Sequence, residues 1–242
     1  MADDIRAKDA AILERRAAEV QRGGARAAVL GVNDGLVSTL CIVLAVAGAG
    51  AEASAVLLAG FAGLIAGAIS MAAGEWISVK SQVELFQGIL SDLKHMITHD
   101  RDLLQDNLKK SLVSDGYTAA TADVASQEIV EHDEKFFDIY ATQVMGMNPE
   151  ELGSPWVAAG SSFALFTVGA LAALGPWFFT SGVSAITLSI IFTGVGGLIV
   201  GGYVASTSGK NISWGALRQL GIIIIASVVT YGVGYLFGTT VG

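Results

Sequence analysis

Two long stretches of this chain, Trp156 to Gly209 and Gln219 to Gly242, contain no acidic, basic or histidine side chain. A third, Arg26 to Lys80, encloses only Asp34, Glu52 and Glu75. A helix crosses the hydrocarbon core of a bilayer with about 20 apolar residues. The chain offers five such segments, roughly 27–49, 55–79, 156–177, 183–205 and 218–238. The expected fold class is therefore all-α, a polytopic membrane protein with five transmembrane helices. A membrane β-barrel would instead show alternating segments of about ten residues, and none is visible. Breaks are expected at Gly48 to Ser54, Gly175-Pro176, Thr180 to Gly182 and Ser206 to Ser213, where small and polar residues cluster.

Charge divides the rest of the chain. Only 15% of residues are charged, against about 25% in an average soluble domain. Of the 22 acidic residues, 14 lie between Lys80 and Pro155, and they dominate the net charge of -8. A nucleic-acid partner is not expected of so acidic a chain. Four regions follow: an amphipathic N-terminal helix at 1–26, transmembrane helices 1 and 2 at 27–80, an acidic helical insert at 81–155, and transmembrane helices 3 to 5 at 156–242. In the N-terminal region Ile5, Ile12, Leu13 and Val20 form a thin apolar stripe. Arg15, Arg16, Arg22 and Arg26 then sit either at anionic headgroups or in plain solvent. Five spans put all 14 Lys and Arg residues on one side, which the positive-inside rule makes cytosolic. The insert is then cytosolic and the C-terminus extracytosolic, in a plasma (inner) or vacuolar membrane. Cys41 is the only cysteine, so one chain builds no disulfide and no thiolate cluster.

Inside the spans a few polar residues carry the chemistry. Asp34 lies roughly 10 Å into span one, where an unpaired carboxylate costs about 2.5 to 3.5 kcal/mol. Glu75 is expected at comparable depth in span two, with Met71 one turn deeper on the same face. Asn33, Ser38, Ser70 and Ser78 add neutral oxygens. Two carboxylates, a thioether and such oxygens suit a partly dehydrated divalent cation, and protons would compete for the carboxylates. The plainer alternative has Asp34 and Asn33 bonding between helices, Glu75 reaching to the interface and Met71 packing in the core. Gly31 with Gly35, Gly63 with Gly67, and Gly197 with Gly201 have GxxxG spacing. That spacing serves close packing within one subunit as well as a dimer seam.

The segments GVNDGLVSTL at 31–40 and GLIAGAISMAAGEWISVKSQVEL at 63–85 resemble the paired first and second helix motifs of the vacuolar iron transporter family. NPEELGSPWVAAGSSF at 148–163 is similar to the family's entrance to the third helix. The resemblance implies a homodimer with five spans per subunit that moves ferrous iron or manganese out of the cytosol in exchange for protons. It also implies that Asp34 and Met71 belong to the translocation path at the dimer interface, with Glu75 a further motif position. The insert departs from the pattern. LSDLKHMITHDRDLLQDNLKK carries aspartate and histidine where iron-transporting members carry repeated glutamates. This departure bears on metal selectivity more than on transport.

The insert holds all three histidines. On a continuous helix Asp92, His95, His99, Asp102 and Asp106 share one arc about 80° wide, opposite Leu90, Leu93, Ile97, Leu104 and Leu108. A second helix is expected over about Thr118 to Thr142, with Glu128, Glu131 and His132 opposite Ile129, Phe136 and Tyr140. Asp115-Gly116 would turn between the two as an antiparallel hairpin. Imidazole with carboxylate suits Fe2+, Mn2+, Zn2+ or Co2+, and Glu128 with His132 at i and i+4 would grip one ion. The alternative is a solvated acidic face. A helix start at Thr98 or Asp100 would split the stripe.

Two functions follow. One is a divalent-metal transporter of the Fe2+/Mn2+ class, exporting metal against protons. The other is a non-transporting membrane sensor or scaffold whose insert binds metal. An enzyme is not expected, because no zinc-protease helix, activated nucleophile or nucleotide loop is present.

Overall fold

A computed structural model describes residues 24–148 and 153–241. The expected N-terminal helix at 1–26 and the Pro149 to Leu152 part of the third motif fall almost wholly outside them. The described residues form helices joined by short connections, without strands. The chain divides into two compact units, one formed by Gly23–Ile77 with Pro155–Gly242, the other containing Ser78–Ser154.

The first unit contains α1 (Gly24–Gly48), the beginning of α2 (Ala53–His99), α6 (Pro155–Leu174), α7 (Gly182–Thr207) and α8 (Ile212–Val241). Five helices are long and apolar enough to cross a membrane, and their ends agree with the sequence expectation except at α2 and at the start of α8, which begins at Ile212 and not at 218. That helix runs on past residue 79, and its residues from Ser78 belong to the second unit. Each break has a local cause. Gly50, Gly182 and Gly209 take positive φ at the three tight connections, a conformation that costs glycine little. Pro176 sits in a 3-10 turn at Gly175–Phe178 that ends α6, because its ring removes the donor a continuing helix needs. Asn211 Oδ1 accepts the Trp214 amide at 3.1 Å and starts α8.

Glycine decides how these helices approach, and the three GxxxG pairs named above all meet neighbouring helices inside the subunit. A Cβ on Gly35 would run into the Phe166 carbonyl of α6, and one on Gly169 into the Val32 carbonyl of α1. Gly234 and Gly238 of α8 stand similarly close to the Ala45 carbonyl of α1 and the Ala49 carbonyl just past its end, and Gly201 of α7 to that of Gly215. Backbones that near leave no room for any side chain. On α2 the neighbours are side-chain tips: Leu174 Cδ1 at Gly60, Ile42 Cδ1 at Gly63 and the Phe166 ring at Gly67. A buried core of Val43, Val56, Leu64, Ala68, Phe166, Ala170, Leu174, Trp177 and Ala185 fills the space among α1, α2, α6 and α7. Trp177 Nε1 donates to Ser189 Oγ at 3.1 Å, and Ser189 Oγ donates on to the Ala173 carbonyl at 2.6 Å.

The second unit is a polar helical hairpin with its own core. It comprises the end of α2, α3 (Arg101–Ser114), α4 (Ala119–Val130), α5 (Asp133–Ile139) and a π-helical turn at Tyr140–Val144. Leu93, Ile97, Leu104, Leu108 and Leu112 are buried with Ala122, Phe136, Tyr140 and Ala141, and Leu90 packs at the edge. This is the apolar face the sequence pattern gives. Gly116, at φ +101, makes the expected turn, and Thr118 Oγ1 caps α4 by accepting the Thr121 amide. Lys109 pairs with Asp123 across the hairpin.

Two expectations here need correction. The His/Asp stripe does not lie on one helix, since α2 stops at His99 and α3 starts at Arg101. Thr98 takes no part in a cap, because its hydroxyl donates back to the Lys94 and His95 carbonyls, and the Asp100 side chain makes no capping bond. The helix expected over Thr118 to Thr142 breaks as well, at Glu131-His132. Arg101 explains that break. Its guanidinium donates both to the Val130 carbonyl that ends α4 and to the Asp133 carboxylate that begins α5, a tertiary anchor stronger than local helix preference.

Candidate functional site

The first group of candidate residues lies on α1 and α2 of the membrane unit. On α1, Asn33 is half-buried, Asp34 is exposed, and Ser38 donates from Oγ to the Asp34 backbone carbonyl at 2.6 Å. On α2, Met71 and Glu75 are half-buried and Ser70 is exposed. Met71 packs on the Phe166 core.

The register between α1 and α2 sets the depths. Val43 meets Gly60 while Ile42 meets Gly63, so the two helices run antiparallel. From Ile42 back to Asp34 is eight residues, as from Gly63 on to Met71. Each step is about 12 Å of helix, which puts Asp34 and Met71 at the same depth. Glu75, expected from the sequence at the depth of Asp34, stands by this reckoning one turn nearer the Trp76 end. There Trp76 and Trp156 meet edge to face at 5.6 Å, and Trp214 lies exposed at the start of α8. Tryptophans at the ends of three spans are what a membrane interface selects. On its other side the site meets the buried Phe166 core.

The second group is differently placed. Asp92, His95, His99, Asp102, Asp106, Glu128, Glu131 and His132 are all exposed. His95 and His99 do come together, with rings stacked 4.1 Å apart and 9° from parallel, while His99 Nδ1 lies 2.9 Å from the His95 carbonyl. The break at Asp100 takes Asp102 and Asp106 off that helix. His132 precedes α5 in extended backbone, so the expected i and i+4 grip with Glu128 is not formed. Among the described residues of one chain, no three His, Cys, Asp or Glu side chains converge as metal ligands.

One polar partner was not foreseen. Gln219 of α8 donates from Nε2 to Asn33 Oδ1, beside Asp34. No sequence signal reveals a pair separated by 186 residues. The residue itself shows in the sequence only as an amide that follows Arg218 and precedes a charge-free run.

Comparison with known proteins covers the membrane helices and the polar unit alike. The sequence model of the VIT family matches residues 25–235. The chain belongs to the VIT family. A protein named "Vacuolar iron transporter" from Acanthamoeba castellanii is 31% identical over 222 residues, covering 90% of this chain and 80% of that relative. "Vacuolar iron transporter homolog 2" of Oryza sativa subsp. japonica is 32% identical over 222 residues, with 88% and 90% covered. "Vacuolar iron transporter homolog 5" of the same organism is 62% identical, over 64 residues that span 26% of this chain and 31% of that relative. These relatives are transporters and not enzymes, in agreement with the sequence reading and with its family resemblance.

Proposed function

We propose that the protein carries a divalent metal of the Fe2+/Mn2+ class out of the cytosol in exchange for protons, with Asp34, Met71 and Glu75 lining the path. One observation carries this reading: an exposed carboxylate in span one at the depth of a thioether on span two. Lipid is a poor neighbour for that carboxylate, and a cation, a proton or a second subunit is a good one. The reading therefore takes the working form as a homodimer that covers Asp34. A thioether beside carboxylates favours a transition ion over Mg2+ or Ca2+, with Zn2+ and Co2+ as competitors. Protons returning to the carboxylates as metal leaves provide the coupling.

The orientation rests on the basic residues, which put the Trp76 end of the site and the polar unit in the cytosol. The relatives' printed names support a vacuolar membrane. In the polar unit, the acidic residues around exposed His95 and His99 attract cations by charge. A fixed ligand set there would need groups from a second copy. The test is uptake of Fe2+ and Mn2+ into proteoliposomes with an imposed pH gradient. Flux that follows the gradient and vanishes in Asp34→Ala is expected. No flux, or full flux from Asp34→Ala, would contradict the reading.

A further inference from the structure

We propose that Gln219 is a positioning residue that holds α1 in the rotation presenting Asp34 to the path; this rests on the reading of Asp34 as a path residue. Three helices converge on its side chain. A Cβ on Gly201 of α7 would lie 2.8 Å from Gln219 Cβ, and one on Gly197 3.4 Å from Gln219 Cγ. The glycine face of α7 is thus a slot for the Gln219 stem, and the slot aims the amide at Asn33 of α1.

The consequence for Asp34 follows from helix geometry. Successive residues are turned by about 100°, so fixing Asn33 toward α8 turns Asp34 outward, and Asn33 is half-buried where Asp34 is exposed. Leu36 and Leu40 continue the inward face, with Leu36 against Gly196 of α7 and Leu40 packed with Ile223 of α8. Apolar contacts of that kind are non-directional, and the glycine contacts of α1 set its distance from α6 and α8. The amide bond is directional, and both of its partners are half-buried between helices. Both amides are also uncharged across the working pH range. The hold on α1 therefore persists while Asp34 exchanges metal for protons.

The test reads the direction of residue 34 without requiring transport. In full-length protein carrying Cys41→Ala and Asp34→Cys in liposomes, a water-soluble maleimide reports access to position 34. Gln219→Asn keeps the amide but shortens its reach by one methylene. Labelling is expected to slow by roughly three- to thirtyfold, the equilibrium weight of one interhelical hydrogen bond. Adding Asn33→Gln restores the combined length and is expected to return the rate to within about twofold. An unchanged or faster rate in Gln219→Asn, or a double variant as slow as Gln219→Asn, would overturn the proposal. Because the double variant restores the bond and not the native residues, misfolding of the single variant is separable from loss of positioning. Flux through the chain with and without Asp34→Ala tests the transport reading separately.

Discussion

The first two spans are built from similar material and packed in opposite ways. Both α1 and α2 carry GxxxG pairs, yet α1 is held between α6 and α8 by backbone contacts, whereas α2 touches its neighbours through side-chain tips. Leu58, Phe61 and Ile69 of α2 lie more than half exposed. A backbone contact cannot yield without separating two helices, but a Leu or Phe tip has other rotamers. The difference divides the candidate site: Asp34 sits on the rigid element, and Met71 and Glu75 sit on the one with freedom to tilt. A carrier that opens to two sides in turn needs such a division.

Alanine substitutions at four positions sharpen this contrast. Gly35→Ala should be the most damaging, because its methyl meets the Phe166 carbonyl; a loss of about 3 kcal/mol would show as a large fall in the detergent melting temperature. Ser189→Ala should cost about 1 to 3 kcal/mol by leaving the buried Trp177 N–H without its partner. Gly67→Ala meets only the Phe166 ring and should cost about 1 kcal/mol while altering transport more than stability. If Gly67→Ala destabilises as much as Gly35→Ala, the contrast between α1 and α2 is wrong. Gly74→Ala has open space around it and should stabilise α2 slightly, by up to about 1 kcal/mol. A loss of stability at Gly74 would instead reveal a second copy packed on that face.

Much of this was legible in the sequence, for physical reasons. Span ends follow from Gly, Pro and Ser clusters because those residues act locally, as Gly50, Pro176 and Gly209 show. The burial of Leu93, Ile97, Leu104 and Leu108 follows from helical period alone. The partner of each glycine was not legible, since GxxxG spacing says that something comes close without saying what. Nor was the break at Glu131-His132, where no Gly or Pro stands and Arg101, distant in sequence, decides. The candidate site divides likewise. Asp34 and Glu75 stand out as charges among apolar residues, whereas Gln219 is recognisable only once α8 lies beside α1.

The central claim is that Asp34 and Met71 face one path at one depth, and a thiol pair tests it most directly. In a Cys41→Ala background, Asp34→Cys combined with Met71→Cys should bind Cd2+ between the two positions, within one subunit or across two. Cd2+ should then protect both thiols from a water-soluble maleimide in the double variant and neither in the single variants. Labelling of the double variant that ignores Cd2+ would contradict the account.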